Sequence, residues 1–205
     1  MNPTILVIMG STRPRRIGPT IARWVADLGR ATVSADFEII DLRDWSLPMD
    51  DEPGIPAHGG YEQEHTLAWS RKISSADGFI FVTPQFNWGY PASLKNAIDH
   101  LYTEWRDKAA MIVTYGGHGG GRCAQQLRQV LSSIKMKIVE QMPALTLSHE
   151  QVERNDGIID PGVVFVEQKE QIIEALKAVQ ILIRPHLMAN FGTSRRGAGR
   201  LSLVD

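Results

Sequence analysis

The feature that most constrains this chain is a series of short apolar runs separated by segments of helical periodicity. Ile5-Leu6-Val7-Ile8-Met9 is unbroken and stops at Gly10. A strand with one wet face must alternate, so a run without alternation describes a strand buried on both faces, as in a parallel sheet. Phe37–Leu42, Gly78–Thr83, Ala109–Tyr115 and the shorter Met136–Val139 supply four more candidate strands. Amphipathic segments lie between them. Pro19 opens a helix carrying Ile21, Trp24, Val25 and Leu28 on one face, because proline suits a first helical turn. Tyr61–Ser75 carries Leu67, Trp69 and Ile73, and the segment from Pro91 carries Leu94, Ala97, Ile98 and Leu101. The helix after Gly121 carries Leu127, Val130, Leu131 and Ile134. A last helix, Phe165–Ile183, repeats Ile172, Ile173, Leu176 and Val179 at helical spacing.

Five alternations of strand and helix imply an α/β fold with a parallel sheet and helices on both faces. Right-handed crossovers leave two common wirings, a six-stranded dinucleotide type and a five-stranded flavodoxin type. Five strands in 205 residues favour the second: a flavodoxin-like three-layer sandwich around a five-stranded parallel sheet. Residues 1–190 are expected to form a single domain, with 191–205 as a C-terminal tail. Two stretches resist this pattern. Trp45–Gly60 is rich in proline and glycine and long for a connection, and beyond Pro143 the signal fades until Phe165.

Charge and cysteine content narrow the function classes. With 22 basic against 23 acidic side chains the net charge is -1, which argues against nucleic-acid and membrane-surface partners. The single cysteine, Cys123, cannot form an intrachain disulfide, and no Cys/His spacing resembles a zinc site, so no metal is expected. No apolar run approaches the ~20 residues of a membrane span, and the first residues lack the build of a signal peptide. A cytoplasmic location is expected.

In an open parallel sheet, ligands bind beyond the carboxyl ends of the strands where the winding reverses. The loops after strands one, three and four meet there. The first, Gly10-Ser11-Thr12-Arg13-Pro14-Arg15-Arg16-Ile17-Gly18, combines hydroxyls and guanidinium groups ahead of a helix N-terminus, a setting suited to a phosphate. The plain alternative is a solvated basic loop with Ser11 or Thr12 as helix cap. It matches neither the Walker pattern nor Gly-x-Gly-x-x-Gly. The second, Pro84-Gln85-Phe86-Asn87-Trp88-Gly89-Tyr90-Pro91, sets aromatic rings and amides between two prolines. It suits a flat heteroaromatic ring, or equally a packing contact with a helix or a partner. The third, Gly116 to Gly121, can bring bare backbone N–H groups to a ligand or serve as a flexible turn.

Gly10-Ser11-Thr12-Arg13, the stretch Val82–Asp99 and Tyr115-Gly116-Gly117, in that order, resemble the NADPH-dependent FMN reductase family of flavodoxin-like proteins. The likeness spans about Thr4 to Glu140. It implies non-covalent FMN, reduction by NADPH or NADH as co-substrate, and transfer to a flavin, quinone, azo or metal-oxyanion acceptor. By position it implies that Ser11 and Arg13, with Arg16, Ile17 and Gly18, hold the phosphate. Pro84, Gln85, Phe86 and Asn87 would line the isoalloxazine, and Gly116 and Gly117, with His118 nearby, would face its pyrimidine side. Gln85 and Phe86 stand where the family often has Glu and Tyr.

Since the cofactor performs the chemistry, no catalytic side chain is expected. A second reading is an FMN-binding or interaction module without NAD(P)H turnover. A homodimer or homotetramer is expected from Trp88, Tyr90, Tyr102 and Trp105, which gather near the ring loop as rings at an interface core would.

Overall fold

The computed structural model describes the backbone of residues 2–194 and the side chains of residues 2–183. The five apolar segments become strands β1 (Thr4–Met9), β2 (Asp36–Asp41), β3 (Gly78–Pro84), β4 (Ala109–Gly116) and β5 (Lys137–Ile138), all parallel in the order β2-β1-β3-β4-β5. This is the five-stranded wiring, with β1 and β3 flanking the reversal point.

A further short strand, β6 (Ala144–Thr146), pairs with the carboxyl half of β4, whereas β5 pairs with its amino half. The outer position of the sheet is therefore one interrupted strand. Pro143 lies at the break, and its carbonyl accepts from the Thr114 N–H at 3.0 Å. Having no N–H of its own, proline suits an edge strand and a break in the ladder.

Alternation along β1 divides the core. Ile5, Val7 and Met9 point to one face, where α1 (Gly18–Thr32) and α7 (Lys169–Ser194) pack through Ile21, Val25, Ile172, Leu176 and Val179. Leu6 and Ile8 point to the other, against α2 (Glu64–Ser74), α3 (Ala92–Asp99) and α4 (Gly121–Ser133). Trp69, Ile73, Leu94, Ile98, Leu127 and Leu131 fill that side.

Two helices begin later than their periodicity suggests. At α2 the N–H groups of Glu62 and Gln63 donate to the Glu52 carboxylate, each at 3.0 Å, so the loop satisfies them before a helix can. Ahead of α7, Asp160 caps the short α6 (Pro161–Val164), accepting from the Gly162 N–H at 2.9 Å. A 3-10 turn over Val166–Gln168 then intervenes. The α7 backbone continues through Ser194, past the expected end at Ile183 and into the segment read as a tail. The rest of that segment, 195–205, lies outside the described residues.

The aromatic cluster expected at a subunit interface divides. Trp105 is fully buried inside this chain, its ring 5.0 Å from Phe79 and 6.4 Å from Trp69, with Nε1 donating to the Ile98 carbonyl at 3.1 Å. Tyr90 and Tyr102 are half-buried against the same core. Trp88 alone is exposed, at 61%. The β3 face offers room for a large ring above Phe79 and Phe81, and burying Trp105 there removes it from any interface.

Candidate functional site

The three loops converge at the carboxyl edge of the sheet around an open cleft of ≈ 180 Å³. Ser11, Arg13 and Arg16 line one side, Pro84, Gln85 and Phe86 another, and Gly116 and Gly117 a third. Eight of the residues picked from sequence thus share one cavity.

The first loop leaves α1 without a side-chain cap. Ser11 is almost fully buried and accepts from the Arg13 N–H at 3.4 Å. Among the described residues, the backbone N–H groups of Thr12, Arg15, Arg16 and Ile17 have no protein acceptor. Such a run of unpaired donors ahead of a helix N-terminus favours an anion.

Its two central arginines have separate tasks. Arg16 is 9% exposed; its guanidinium donates to the Ser11 carbonyl at 2.6 Å and forms an ion pair with Asp41. It holds the loop's shape. Arg13 is exposed, forms no ion pair among the described residues, and sets its guanidinium carbon 3.8 Å from the centroid of the Phe86 ring. A cation–π contact uses no N–H donor, and among the described residues the Arg13 side chain donates no hydrogen bond to the protein.

The second loop is a tight turn. Phe86 and Gly89 exchange backbone hydrogen bonds at 2.8 and 2.9 Å, and the two residues between them, Asn87 (φ 48°) and Trp88 (φ 72°), are both left-handed. A two-residue turn of this kind needs positive φ twice; asparagine tolerates that, whereas tryptophan adopts it at a cost. The Arg122 guanidinium lies 3.5 Å over the Trp88 ring and holds it. Asn87 points to solvent and does not line the cleft. Gln85 uses Oε1 to accept from the Cys123 N–H at 3.2 Å, supplying the α4 cap that Gly120 lacks a side chain to provide.

In the third loop Gly120 sits at φ 91°, and a Cβ there would come within 2.8 Å of Thr114 Cβ. Only glycine fits. The N–H groups of Gly117 and His118 have no acceptor among the described residues, and Gly117 faces the cleft while the His118 side chain is exposed outside its lining. Two other expected residues also lie behind the lining. Ile17 is a core residue under α1. Gly18 makes room for Tyr115, since a Cβ at Gly18 would meet the Tyr115 hydroxyl at 2.8 Å.

Burial raises the pKa of Tyr115 well above its ordinary value, against the pull of Arg16 and Arg13, so the phenol stays protonated. Burial also pushes the Cys123 thiol up to about 12. A thiol so disposed is not a nucleophile.

The sequence model of the family described as NADPH-dependent FMN reductase matches residues 3–150. This chain belongs to that family. It is 52% identical over 177 residues to an NAD(P)H-dependent FMN reductase of Schizosaccharomyces pombe, covering 85% of this chain and 88% of that protein. It is 44% identical over 148 residues to one of Saccharomyces cerevisiae, covering 65% of this chain and 75% of the other. Among solved structures it is similar in fold to a flavoenzyme NAD(P)H:(acceptor) oxidoreductase of Paracoccus denitrificans, with a TM-score of 0.62 at 19% identity, over 86% of this chain and 98% of that one.

In this FMN reductase family member the cleft has a fourth wall that the sequence reading missed: Tyr115, Leu147, Val152 and Asn155. The last three belong to the region where periodicity fades. One signal was present there. Ser148 followed by Gln151 is a capping-box spacing, and both reciprocal bonds form at the start of α5 (His149–Arg154). Asn155 ends α5 in a left-handed conformation and donates to the Arg15 carbonyl at 2.7 Å, while Thr20 donates to the Gly157 carbonyl at 2.9 Å. The segment after β6 is thereby fastened onto the first loop. No helix among the described residues is long and apolar enough to cross a membrane.

Proposed function

We propose that the cleft binds FMN and that the protein is an FMN-dependent NAD(P)H oxidoreductase which passes electrons to small-molecule acceptors of the quinone, azo, flavin or metal-oxyanion kind. One observation carries the reading. Two sets of donors without a protein acceptor among the described residues belong to loops that line the same cleft: Arg13 with backbone N–H groups of the first loop, and the N–H groups of Gly117 and His118 in the third. A ligand with a dianionic group at one end and a ring bearing hydrogen-bond acceptors at the other satisfies both, as FMN does.

In this assignment Arg13, Ser11 and the loop N–H groups hold the phosphate, while Arg16 positions them through Ser11 and Asp41. Pro84, Gln85 and Phe86 wall one side of the ring, and Leu147 and Val152 shield it from water on the other. The donors of Gly117 and His118 meet the pyrimidine edge. When bound, flavin supplies the hydride acceptance and onward electron transfer. The protein adds binding, orientation and exclusion of water. Tyr115 keeps its proton on the hydroxyl beneath the phosphate loop, and no side chain is assigned as acid or base.

We further propose a homo-oligomer, a dimer or tetramer, that covers Trp88. The support is an exposed indole held in a strained turn beside the cleft, since aromatic anchors of this kind are enriched at interface cores. The test of the flavin reading is direct. Purified protein should be yellow and should lose that colour on anaerobic addition of NADPH or NADH. Colour that persists with both nucleotides would leave the binding module without turnover.

A further inference from the structure

The long connection between β2 and α2 brings together three side chains that the flavin site does not use. Asp51 comes from the connection itself, His65 from the first turn of α2, and His100 from just beyond the end of α3. One ligand-capable atom from each lies within 4.8 Å of the other two. We propose that Asp51, His65 and His100 bind one divalent transition-metal cation of the zinc class, which fastens the Trp45–Gly60 connection to α2 and α3.

The geometry is close to what a small cation requires. His65 Nε2 is 3.0 Å from Asp51 Oδ2, and His100 Nε2 is 3.9 Å from Asp51 Oδ1. Ligand atoms about 2.0–2.2 Å from a tetrahedral Zn²⁺ stand ~3.3 Å apart, and since no pair here exceeds 4.8 Å, a shortening of about 1.5 Å at most closes the site.

His100 is the second, independent indication. Its Nδ1 is 2.8 Å from the Asn96 carbonyl, which can only accept, so Nδ1 carries a proton and the neutral ring has its lone pair on Nε2. The side chain is 4% exposed, and Nε2 is buried without any partner. A buried acceptor left unpaired is costly. An imidazole with one nitrogen tied to a backbone carbonyl and the other bare is the arrangement that orients a metal-binding histidine.

The surroundings suit a cation. Asp51 and His100 line a cavity of ≈ 170 Å³ whose lining also includes Asp50, Glu52 and Asp99. Glu52 is occupied by the N–H groups of Glu62 and Gln63, and Asp99 pairs with Lys95, so both shape the field without competing as ligands. Two imidazoles and one carboxylate favour zinc, nickel or cobalt over magnesium or calcium, which take all-oxygen sites. The adjoining cavity leaves room for water as a fourth ligand. Spacing along the chain could not reveal this site, because its ligands come from three elements.

The experiment uses the full-length protein, stripped with a chelator and titrated with Zn²⁺ against a chromophoric competitor, and with Co²⁺ read by its visible d–d absorption. The expected result is one Zn²⁺ per chain, intense bands of low-coordinate Co²⁺, and a melting temperature that rises with Zn²⁺. His65→Gln and Asp51→Asn should each weaken Zn²⁺ binding at least ~10-fold and abolish the thermal shift. His65 and Asp51 are each about a quarter exposed, so both variants should fold, which circular dichroism checks. His149 and Glu153, one turn apart on the exposed face of α5, are the competing surface pair, and His149→Gln should change nothing. Absence of a stoichiometric site, unchanged binding in His65→Gln, or loss in His149→Gln would overturn the proposal.

Discussion

Replacing Arg13 with alanine separates ligand binding from folding at this site. The guanidinium is exposed, has no carboxylate partner among the described residues, and touches the protein chiefly through the Phe86 ring. Its removal forfeits a cation–π contact of about 0.5–1 kcal/mol and little else from the free protein. If its edge holds the FMN phosphate, the bound state loses charge-assisted hydrogen bonds worth ~1.5–3 kcal/mol. FMN affinity should then fall roughly ten- to a hundredfold. Arg16→Ala should behave the opposite way. Arg16 is buried against Asp41 and the Ser11 carbonyl, and removing one partner of a buried pair costs about 3 kcal/mol, the low end because Asp41 keeps a fifth of its surface in water. Flavin fluorescence quenching gives the affinities and urea unfolding the stabilities. Riboflavin, which lacks the phosphate, supplies the control: it should bind weakly and ignore Arg13→Ala. An equal loss for riboflavin and FMN, or an Arg13→Ala destabilised well beyond the ~1 kcal/mol of its contact with Phe86, would refute the assignment.

Gly120→Ala should destabilise the fold by about 1–3 kcal/mol, since it combines φ 91° with a 2.8 Å approach to Thr114; an unchanged urea midpoint would contradict this. Trp88→Gly should relieve the left-handed turn, leaving monomer stability equal or higher, while shifting light-scattering mass toward the monomer. Unchanged mass in that variant would remove Trp88 from the interface. Burial lowers the Lys108 ammonium to about 8, against the pull of Asp77 and Glu104, although Nζ donates to the Ile73 and Ser74 carbonyls at 2.8 and 3.0 Å. Between that value and the ordinary lysine range the unfolded chain binds more protons, so this group's contribution to stability rises with pH. Wild type should therefore gain on Lys108→Met between pH 8 and 10, and a constant difference across that window would contradict it.

The sheet was legible because burial on both faces leaves its mark on composition. Ile5–Met9 and Ala109–Tyr115 admit no solvent side, and β1, β3 and β4 appear within a residue or two of their apolar runs. The phosphate-loop and glycine-loop positions followed from topology, which fixes where loops after strands one, three and four must meet. β6 was not legible, since three residues at a sheet edge carry no periodicity. Neither was the wall formed by Leu147, Val152 and Asn155, which depends on a capping box and a left-handed Asn155 rather than on an apolar pattern. Individual side chains were the weakest part of the reading. Sequence places Ile17 and Asn87 inside their loops, but only backbone conformation sends one into the core and the other into solvent. Trp105 is similar: an aromatic residue near a site reads the same whether it faces a partner or the protein's own sheet.

The measurement that bears most directly on the central claim is an anaerobic titration of the FMN-loaded protein with NADPH, and separately with NADH, followed in the flavin absorption band. The account predicts bleaching complete at about one nicotinamide per bound flavin, because hydride transfer delivers the two electrons the ring accepts, and recovery of colour when a quinone is added. A flavin that binds with the expected phosphate dependence yet stays oxidised with both nucleotides would contradict it.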